Sequence, residues 1–178
     1  MNARVLVKRL GTVDALSLVS LRREALEAEP LAFGASPEDD LGLSLEFVQR
    51  VLTDDREQAV FGCFEGDALA GMVGVMREGK RKRRHAGSIW GMYVSPRARR
   101  KGNGRALLEA AVQQARAWGL EQVQLGVTEA APTARNLYES LGFRPWGREP
   151  RALHWNGRFV DEFHLALDLR DALGAEQR

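Results

Sequence analysis

The sequence predicts a mixed α/β or α+β fold. Two observations support this class: short β-prone runs alternate apolar with polar residues, and longer stretches repeat apolar residues at helical three- and four-residue steps. These runs follow the order strand, two helices, three strands, helix, strand, helix and two strands. No linker, repeat or low-complexity segment divides the chain, so we expect a single domain over residues 1–178.

Composition excludes several classes of protein. The chain has 178 residues, 44% hydrophobic and 28% charged, which suits one buried core and not a disordered polymer. Lys and Arg number 26 against 24 Asp and Glu, a net charge of +2 that is too balanced for a dedicated nucleic-acid protein. The single cysteine, Cys63, cannot form an internal disulfide, and the three histidines lack metal-ligand spacing. We therefore expect a cytoplasmic protein without a metal site or a membrane span.

A short strand and a helix open the chain. Val5 and Val7 alternate with basic residues, as in a half-buried strand. Thr12 is placed to cap a helix, whose apolar residues recur at helical spacing until Pro30 ends it. The loop at 31–42, which contains glycine, proline and acidic residues, is a candidate wall of a substrate site.

Turn signals divide the rest of the chain into elements. Ser44 can cap a short second helix, and Gly66-Asp67 and Asn156-Gly157 are two-residue turns that join antiparallel strands. Gly119 and Gly142 follow helical patterns at the position where glycine commonly ends a helix. These signals predict helices at 46–52, 104–118 and 133–141, and strands at 59–65, 68–77, 88–94, 122–127, 152–155 and 159–169.

The segment that leads from the strand at 88–94 into the next helix carries the strongest chemical signal. Gly102 and Gly104 stand at a helix start, where unpaired N–H groups and a partial positive charge attract anions, and glycine lets the backbone approach closely. A P-loop would need Gly-x-x-x-x-Gly-Lys, and a dinucleotide fingerprint would need a third glycine or alanine where Leu107 stands. The pattern therefore indicates a pyrophosphate cradle. An isolated match is equally well explained by a tight turn before a solvated basic flank.

A second motif makes the match more specific. Two segments, separated by about one strand and one helix, are Arg99-x-x-Gly102-x-Gly104 after Tyr93-Val94-Ser95-Pro96, and Leu137-Tyr138-Glu139-Ser140-Leu141-Gly142-Phe143. Together they resemble the GNAT superfamily of acetyl-CoA-dependent N-acetyltransferases. The resemblance covers about residues 90–143. It implies a central mixed, mostly antiparallel twisted sheet of about seven strands with about four helices, and transfer of an acetyl group from acetyl-CoA to a primary amine.

The resemblance also assigns the cofactor contacts. In the family, backbone groups at the end of the fourth strand bind the acetyl and pantetheine part, a position held here by Met92 and Val94. The family often has an asparagine seven residues before its tyrosine, but this chain has Ala131 there. The turn after the strand would bind the pyrophosphate through its amides and basic side chains, which implies contacts from Arg99, Arg100, Lys101, Gly102, Asn103, Gly104 and Arg105.

Tyr138 matches the family's general acid. The uncharged amine attacks the thioester directly, and the departing thiolate needs a proton, which a phenol with a reference pKa of about 10 can donate at pH 7. The competing explanation is that Tyr138 is a core residue near a helix end. The base is less defined: Glu162 and His164 share one strand face, a water chain is an alternative, and weaker candidates are His85, His154 and Glu24.

Several acceptors and functions stay open. A small-molecule amine is favoured, a protein N-terminus or lysine is the alternative, and a non-catalytic acyl-CoA or nucleic-acid-binding module is a third reading. The basic run at 80–84 has no interleaved aromatic residue, so a solvated loop is favoured and nucleic acid is not expected. The family frequently dimerises, so a homodimer is an expectation by analogy.

Overall fold

The computed structural model describes residues 6–54 and 56–170, through which one seven-stranded sheet runs. The strand order is β1-β2-β3-β4-β5-β7-β6, and every neighbouring pair is antiparallel except β4 and β5. This order confirms the expected mixed, mostly antiparallel sheet. Val5, which was predicted to belong to the first strand, lies outside the described residues. The strands are β1 (Val7–Arg9), β2 (Gln58–Glu65), β3 (Ala68–Arg77), β4 (Ala86–Val94), β5 (Gln122–Thr128), β6 (Arg144–Trp155) and β7 (Arg158–Asp168).

Helices cover both faces of the sheet. Alternate residues of a strand point to opposite faces, so Val73 and Val75 of β3 pack with α3 and Tyr138 of α4, whereas Met72 packs with α1 and α2. None of the helices within 6–54 and 56–170 is long and apolar enough to cross a membrane. The helices are α1 (Ala15–Ala28), α2 (Leu45–Thr53), α3 (Asn103–Ala117) and α4 (Pro132–Ser140). A single domain over the whole chain stays a prediction.

Most of the predictions drawn from turn and capping residues are confirmed. The Ser44 hydroxyl accepts a hydrogen bond from the amide of Phe47 at 3.3 Å, which confirms the predicted cap of α2. Asn156 and Gly157 both have positive φ, 48° and 77°, as the turn between β6 and β7 requires. The prediction that Thr12 caps α1 was wrong. A 3₁₀ turn at Thr12–Asp14 comes first, and the Asp14 carboxylate, a stronger acceptor than a hydroxyl, binds the Gly11 amide at 3.0 Å.

The strand β6 is three times as long as predicted. It spans twelve residues, whereas the sequence predicted only 152–155. As an edge strand it pairs with β7 alone. An edge strand forms backbone hydrogen bonds on one side only, so it tolerates the prolines at 145 and 150 and the two register shifts. Most of its residues are exposed, so the alternating apolar pattern that identifies a strand is absent.

Cys63 of β2 is a core residue, as predicted. It is 1% exposed and belongs to the cluster between the sheet and α3. Burial raises the pKa of its thiol from 9.0 to about 11, so the reactive thiolate is suppressed at neutral pH. The side chain therefore contributes packing and not nucleophilic chemistry.

Candidate active site

The sheet opens between its two parallel strands. β4 and β5 pair at three positions only: Ala86 with Gln122, Gly87 with Val123 and Ser88 with Gln124. Both strands continue, to Val94 and Thr128, but over residues 6–54 and 56–170 no ladder pair joins these continuations. The gap leaves backbone N–H and C=O groups of the two strands free of each other in the middle of the sheet, where a ligand can bond to them.

A bulge in β4 lies beside this gap. Met72 of β3 pairs with Tyr93, but Gly74 pairs with Trp90, so two residues of β4 stand opposite one residue of β3. Gly91, one of the two, has φ of +63°, which glycine adopts without strain. The bulge turns the following residues, so that Met92 packs against the α3 side and Tyr93 against the α1 side.

Glu24 of α1 fixes the end of β4. Its Oε1 atom accepts hydrogen bonds from the Tyr93 hydroxyl at 3.1 Å and the Ser95 hydroxyl at 2.7 Å. Burial and this carboxylate raise the pKa of Tyr93 to about 12. Glu24, a weaker base candidate in the sequence, is therefore engaged in holding the strand end.

The predicted phosphate cradle forms the turn into α3. Arg100 and Gly102 both have positive φ, 62° and 85°, and the buried Asn103 amide donates to the Ala98 carbonyl at 2.8 Å. The first helical hydrogen bond runs from the Ala106 amide to the Gly102 carbonyl at 3.0 Å. The amides of 103–105 thus precede the helical ladder. Among the residues that the structure describes, and apart from the two chain neighbours of Gly102, no heavy atom lies within 4 Å of the point where its Cβ would be. The turn has the open amides and the space that an anion site needs.

The basic side chains around the turn are mostly paired with carboxylates. Arg99 donates to Glu29 at 2.8 Å, Lys101 pairs with Glu65, and Arg105 lies 3.4 Å from Glu109 and donates to the Ser140 hydroxyl. The sequence led us to expect these cations to add attraction for phosphates. Their partners balance part of that charge, which leaves the backbone amides as the principal feature of the turn.

Gly104 brings three elements together. A Cβ at this position would lie 3.2 Å from Cδ2 of Leu137, 3.5 Å from Cε of Met92 and 3.9 Å from Cγ2 of Val94. The sequence suggested that Gly104 is a glycine so that an anion can approach. The structure gives another reason, which is that α3 must pack closely against α4 and the end of β4.

Tyr138 is buried on α4, next to Phe143. It is 5% exposed, and the centroids of the two rings are 6.0 Å apart. Burial raises the pKa of the phenol above its ordinary value of 10, so the hydroxyl keeps its proton across the neutral range. The side chain is thus both a core residue and a group that carries a proton. Ala131 precedes α4 and presents no polar side chain there.

The base candidates separate clearly in space. The Glu162 carboxylate lies over Gly126 of β5, since a Cβ there would be 2.5 Å from its Oε1 atom. Gly126 pairs with His164, whose Nε2 atom is 3.5 Å from Glu149. The side chains of Glu162 and His164, both on β7, lie on the face of the sheet opposite α3. His85 precedes β4 at the end where that strand is paired with β5, away from the gap. His154 stacks on a phenylalanine near the tip of the β6–β7 hairpin, with the ring centroids 4.2 Å apart.

Glu149, Glu162 and His164 are close enough to hold a metal ion, because one ligand atom from each lies within 4.8 Å of the others. Glu149 is exposed and the other two are half-buried. Exposed acidic groups commonly approach one another without an ion, and the expectation of a site without metal stays a prediction.

Two cavities lie on the α1 side of the sheet. The larger, about 400 Å³, lies between α1, α2 and strands β2 to β4, and it reaches Trp90 and Gly91 at the bulge. The smaller, about 290 Å³, lies between residues 30–39 and residues 152–155 of the β6–β7 hairpin. The loop predicted as a substrate wall lines both cavities. Sequence reasoning missed Arg22 of α1 and Trp90, which also line the larger cavity, because no local motif marks them.

Residues 18–143 match the acetyltransferase (GNAT) family, and this segment is more than half of the chain. The chain belongs to the GNAT acetyltransferase family. This membership confirms the resemblance drawn from the sequence, and the seven-stranded sheet with four helices in residues 6–54 and 56–170 matches the fold of a solved GNAT acetyltransferase.

A curated acetyltransferase matches a shorter segment. The mycothiol acetyltransferase of Thermobispora bispora is 47% identical over 60 residues, which cover 34% of this chain and 20% of the relative. The match thus spans one-fifth of that protein's length.

Solved GNAT structures match over nearly the whole chain. An acetyltransferase from Streptococcus pneumoniae has a TM-score of 0.80 and 25% identity, with 93% of this chain and 100% of that chain covered. A phosphinothricin acetyltransferase from Sinorhizobium meliloti, solved in complex with acetyl-CoA, has a TM-score of 0.80 and 22% identity, with 94% and 89% covered.

Proposed function

We propose that this GNAT protein transfers an acetyl group from acetyl-CoA to the primary amine of a small molecule. The observation that carries the proposal is the gap between β4 and β5 beside the N-terminus of α3. One opening thus offers strand backbone groups to a thioester and helix amides to a pyrophosphate.

The cofactor contacts follow from this arrangement. Met92 and Val94 would bind the acetyl and pantetheine part through their backbone groups on the end of β4 that does not pair with β5, where the Val94 carbonyl already accepts from Nε of Arg99 at 2.9 Å. The amides of the turn at 99–105 would bind the pyrophosphate, with Arg100 and the partly neutralised cations beside it adding charge. Since α4 has no polar side chain at Ala131, pantetheine would depend on β4 more than on α4.

The proposed chemistry is direct attack by the amine nitrogen on the thioester carbonyl. The nitrogen forms its bond to the carbonyl carbon and loses a proton to a base, for which Glu162 over Gly126 is best placed. An N–H of the unpaired strand would stabilise the oxyanion. As the carbon–sulfur bond breaks, the thiolate takes a proton, and the protonated Tyr138 phenol is the proposed donor.

A small molecule is favoured over a protein as the acceptor because the larger cavity, about 400 Å³, is of the size that takes one small ligand. A protein N-terminus or lysine remains the alternative. A nucleic-acid module has little support, since the basic turn at 81–83 lies before β4, at the paired end away from the gap. Arg83 of this turn pairs with Glu78, and the following Arg84 pairs with Glu57. A homodimer and a cytoplasmic location stay predictions.

Two measurements test the proposal. Calorimetry should detect acetyl-CoA binding, and a thiol-release assay should detect free coenzyme A when amino acids, polyamines, aminoglycosides or peptides are added. An Arg100→Gln, Gly102→Ala double variant should bind acetyl-CoA more weakly, because it removes an exposed cation and strains a residue with φ of +85° at the turn. A folded parent protein that neither binds acetyl-CoA nor releases thiol with any amine would overturn the proposal.

A further inference from the structure

Two buried hydrogen-bond donors on the larger cavity have no partner. They are Nη1 of Arg22 and Nε1 of Trp90, and neither bonds to any group in the described part of the chain. Buried polar groups are nearly always hydrogen-bonded, because an unpaired one loses its bonds to water without replacement. Two unpaired donors on one cavity therefore point to a ligand that supplies acceptor atoms.

The Arg22 guanidinium is held in one orientation. Its Nε atom donates to Oδ2 of Asp40 at 2.9 Å, Nη2 bonds to the same oxygen, and its Cζ atom lies 4.8 Å from the ring centroid of Phe33. Asp40 is in turn fixed by the Gly42 amide, which donates to Oδ1 at 2.5 Å. One edge of the guanidinium is thus occupied, and Nη1 on the other edge is pre-organised for a further acceptor.

Nη1 of Arg22 lies beside the proposed transfer point. It is 4.0 Å from the position that a Cβ on Gly91 would take. Gly91 is in the bulge of β4, three residues beyond the last pair with β5. A group that accepts from Nη1 and an amine that enters the gap at Gly91 are therefore only a few atoms apart.

The rest of the cavity is apolar and shaped by Trp90. The indole lies flat against Gly74 of β3, where a Cβ would overlap its ring. Away from the two donors, most of the wall is aliphatic or aromatic, contributed by Phe47, Val48, Val51, Val60 and Met72. Such a wall favours an apolar side chain on the ligand.

We propose that this cavity takes the acceptor as a free apolar α-amino acid. Its carboxylate accepts from Nη1 of Arg22 and Nε1 of Trp90, its amine faces Gly91, and its side chain fills the apolar part. Both atoms can only donate, and a carboxylate is the acceptor group that an arginine binds most strongly. The inference rests on the proposed function and specifies its substrate class.

A peptide N-terminus fits this cavity less well. A peptide has a neutral amide in place of the α-carboxylate, and a neutral amide oxygen accepts a weaker hydrogen bond from a guanidinium than a carboxylate does. The unpaired donors therefore favour a free amino acid over the protein acceptor that the sequence left open.

The test compares free amino acids with their neutral derivatives. Leucine, methionine and phenylalanine should be acetylated with kcat/KM about 10- to 100-fold above leucinamide, methioninamide, phenylalaninamide and a leucyl-glycine dipeptide. Arg22→Lys keeps a cation for Asp40 but removes the Nη1 donor, and Trp90→Phe keeps a ring on Gly74 but removes the N–H. Each should reduce the preference for the free acid at least several-fold with unchanged acetyl-CoA affinity. Arg116→Lys and Trp118→Phe, at the end of α3 on the other face, are matched controls that should keep the parental preference.

Equal kcat/KM for acid and amide, or a preference that survives in both variants, would overturn the inference and leave acetyl transfer intact. Calorimetry with leucine alone separates the two proposals further. Leucine binding that is lost in Trp90→Phe supports the inference even where acetyl-CoA fails to bind, and the absence of both leucine binding and leucine turnover in the parent overturns it. Circular dichroism checks that each variant is folded. Because Arg22→Lys and Trp90→Phe are independent, the test can still be decided if one of them does not fold.

Discussion

At the scale of single residues, Tyr138 combines burial with an available proton. Its ring packs on Phe143 in the core, and burial disfavours the phenolate and raises the pKa of the phenol, so the hydroxyl stays protonated across the neutral range. A residue with this environment can serve packing, proton donation or both, and its position alone does not separate them. Substitution by phenylalanine does, because the ring stays and only the hydroxyl is lost.

We expect Tyr138→Phe to lower kcat by about 10²- to 10⁴-fold, the contribution that general acid catalysis typically makes. The lower end is favoured because a thiolate, with a thiol pKa near 8.5, leaves fairly well without help. Acetyl-CoA affinity, measured by calorimetry, should stay the same. Tyr93→Phe, which removes a hydroxyl bonded to Glu24, serves as the comparison and should have a smaller effect on kcat. Parental kcat in Tyr138→Phe, with chemistry limiting turnover, would leave Tyr138 as a packing residue.

We expect Glu162→Gln to slow the chemical step by about 10²-fold or more, because the amide cannot accept the proton of the amine. The size of the side chain is kept, so the contact with Gly126 and the fold should be unaffected. The decisive measurement is the pH profile of kcat/KM, in which the variant should regain rate as rising pH deprotonates the amine in solution. His164→Gln is the matched variant on the same strand. A larger loss in His164→Gln than in Glu162→Gln would transfer the base role to His164.

At the scale of elements, β3 and β4 shape the larger cavity together. Gly74 leaves room for the indole of Trp90, and the bulge at Gly91 places the next part of β4 at the gap. At this contact β3 contributes no side chain, and the absence of one at Gly74 sets the position of the Trp90 indole in the cavity wall. Small substitutions in β3 should therefore change the binding of the acceptor and leave the affinity for acetyl-CoA unchanged.

We expect Gly74→Ala to destabilise the protein by about 1–3 kcal/mol, because the new Cβ overlaps the rigid indole ring and forces it to move. The KM for the acceptor should rise, whereas calorimetry should give the parental affinity for acetyl-CoA, which is proposed to bind the end of β4 and the turn into α3. Gly79→Ala is the matched control, since within the described part of the chain only its sequence neighbours come within 4 Å of a Cβ there, and urea unfolding should give nearly parental stability. An acceptor KM that is unchanged in folded Gly74→Ala would argue that the acceptor does not use this cavity.

The sequence predicted the elements whose signals are local. The turn at Asn156-Gly157, the Ser44 cap and the helix start after Gly102 each depend on residues within a few positions, and the family motif follows from the same local features. The parts that were missed depend on distant contacts. Arg22 becomes a candidate ligand only because Asp40 and Phe33 orient it and Gly91 lies beside it. Most of β6 was missed because an exposed edge strand carries no alternating apolar pattern.

At the scale of the whole molecule, buried acidic groups make the fold sensitive to alkaline pH. Burial raises the pKa of Cys63 to about 11 and that of Tyr93 to about 12, and Tyr138 shifts in the same direction. In the unfolded chain these groups lose their protons near their ordinary pKa values of 9.0 and 10.0. Their contribution to stability is therefore complete below pH 9 and is lost as pH rises toward the folded pKa values.

We expect the free energy of unfolding to fall between pH 9 and 11, with Cys63 contributing a slope of up to about 1.4 kcal/mol per pH unit. Cys63→Ala should lower the stability at pH 8 by the lost packing of one sulfur, yet its stability should decline less steeply above pH 9, because the thiol no longer ionises in the unfolded chain. The two curves, obtained from urea unfolding at half-unit steps of pH, should thus converge as pH rises. Parallel curves from pH 8 to 11 would mean that the Cys63 thiol has the same pKa in the folded and unfolded states, and that the alkaline loss of stability comes from the two tyrosines.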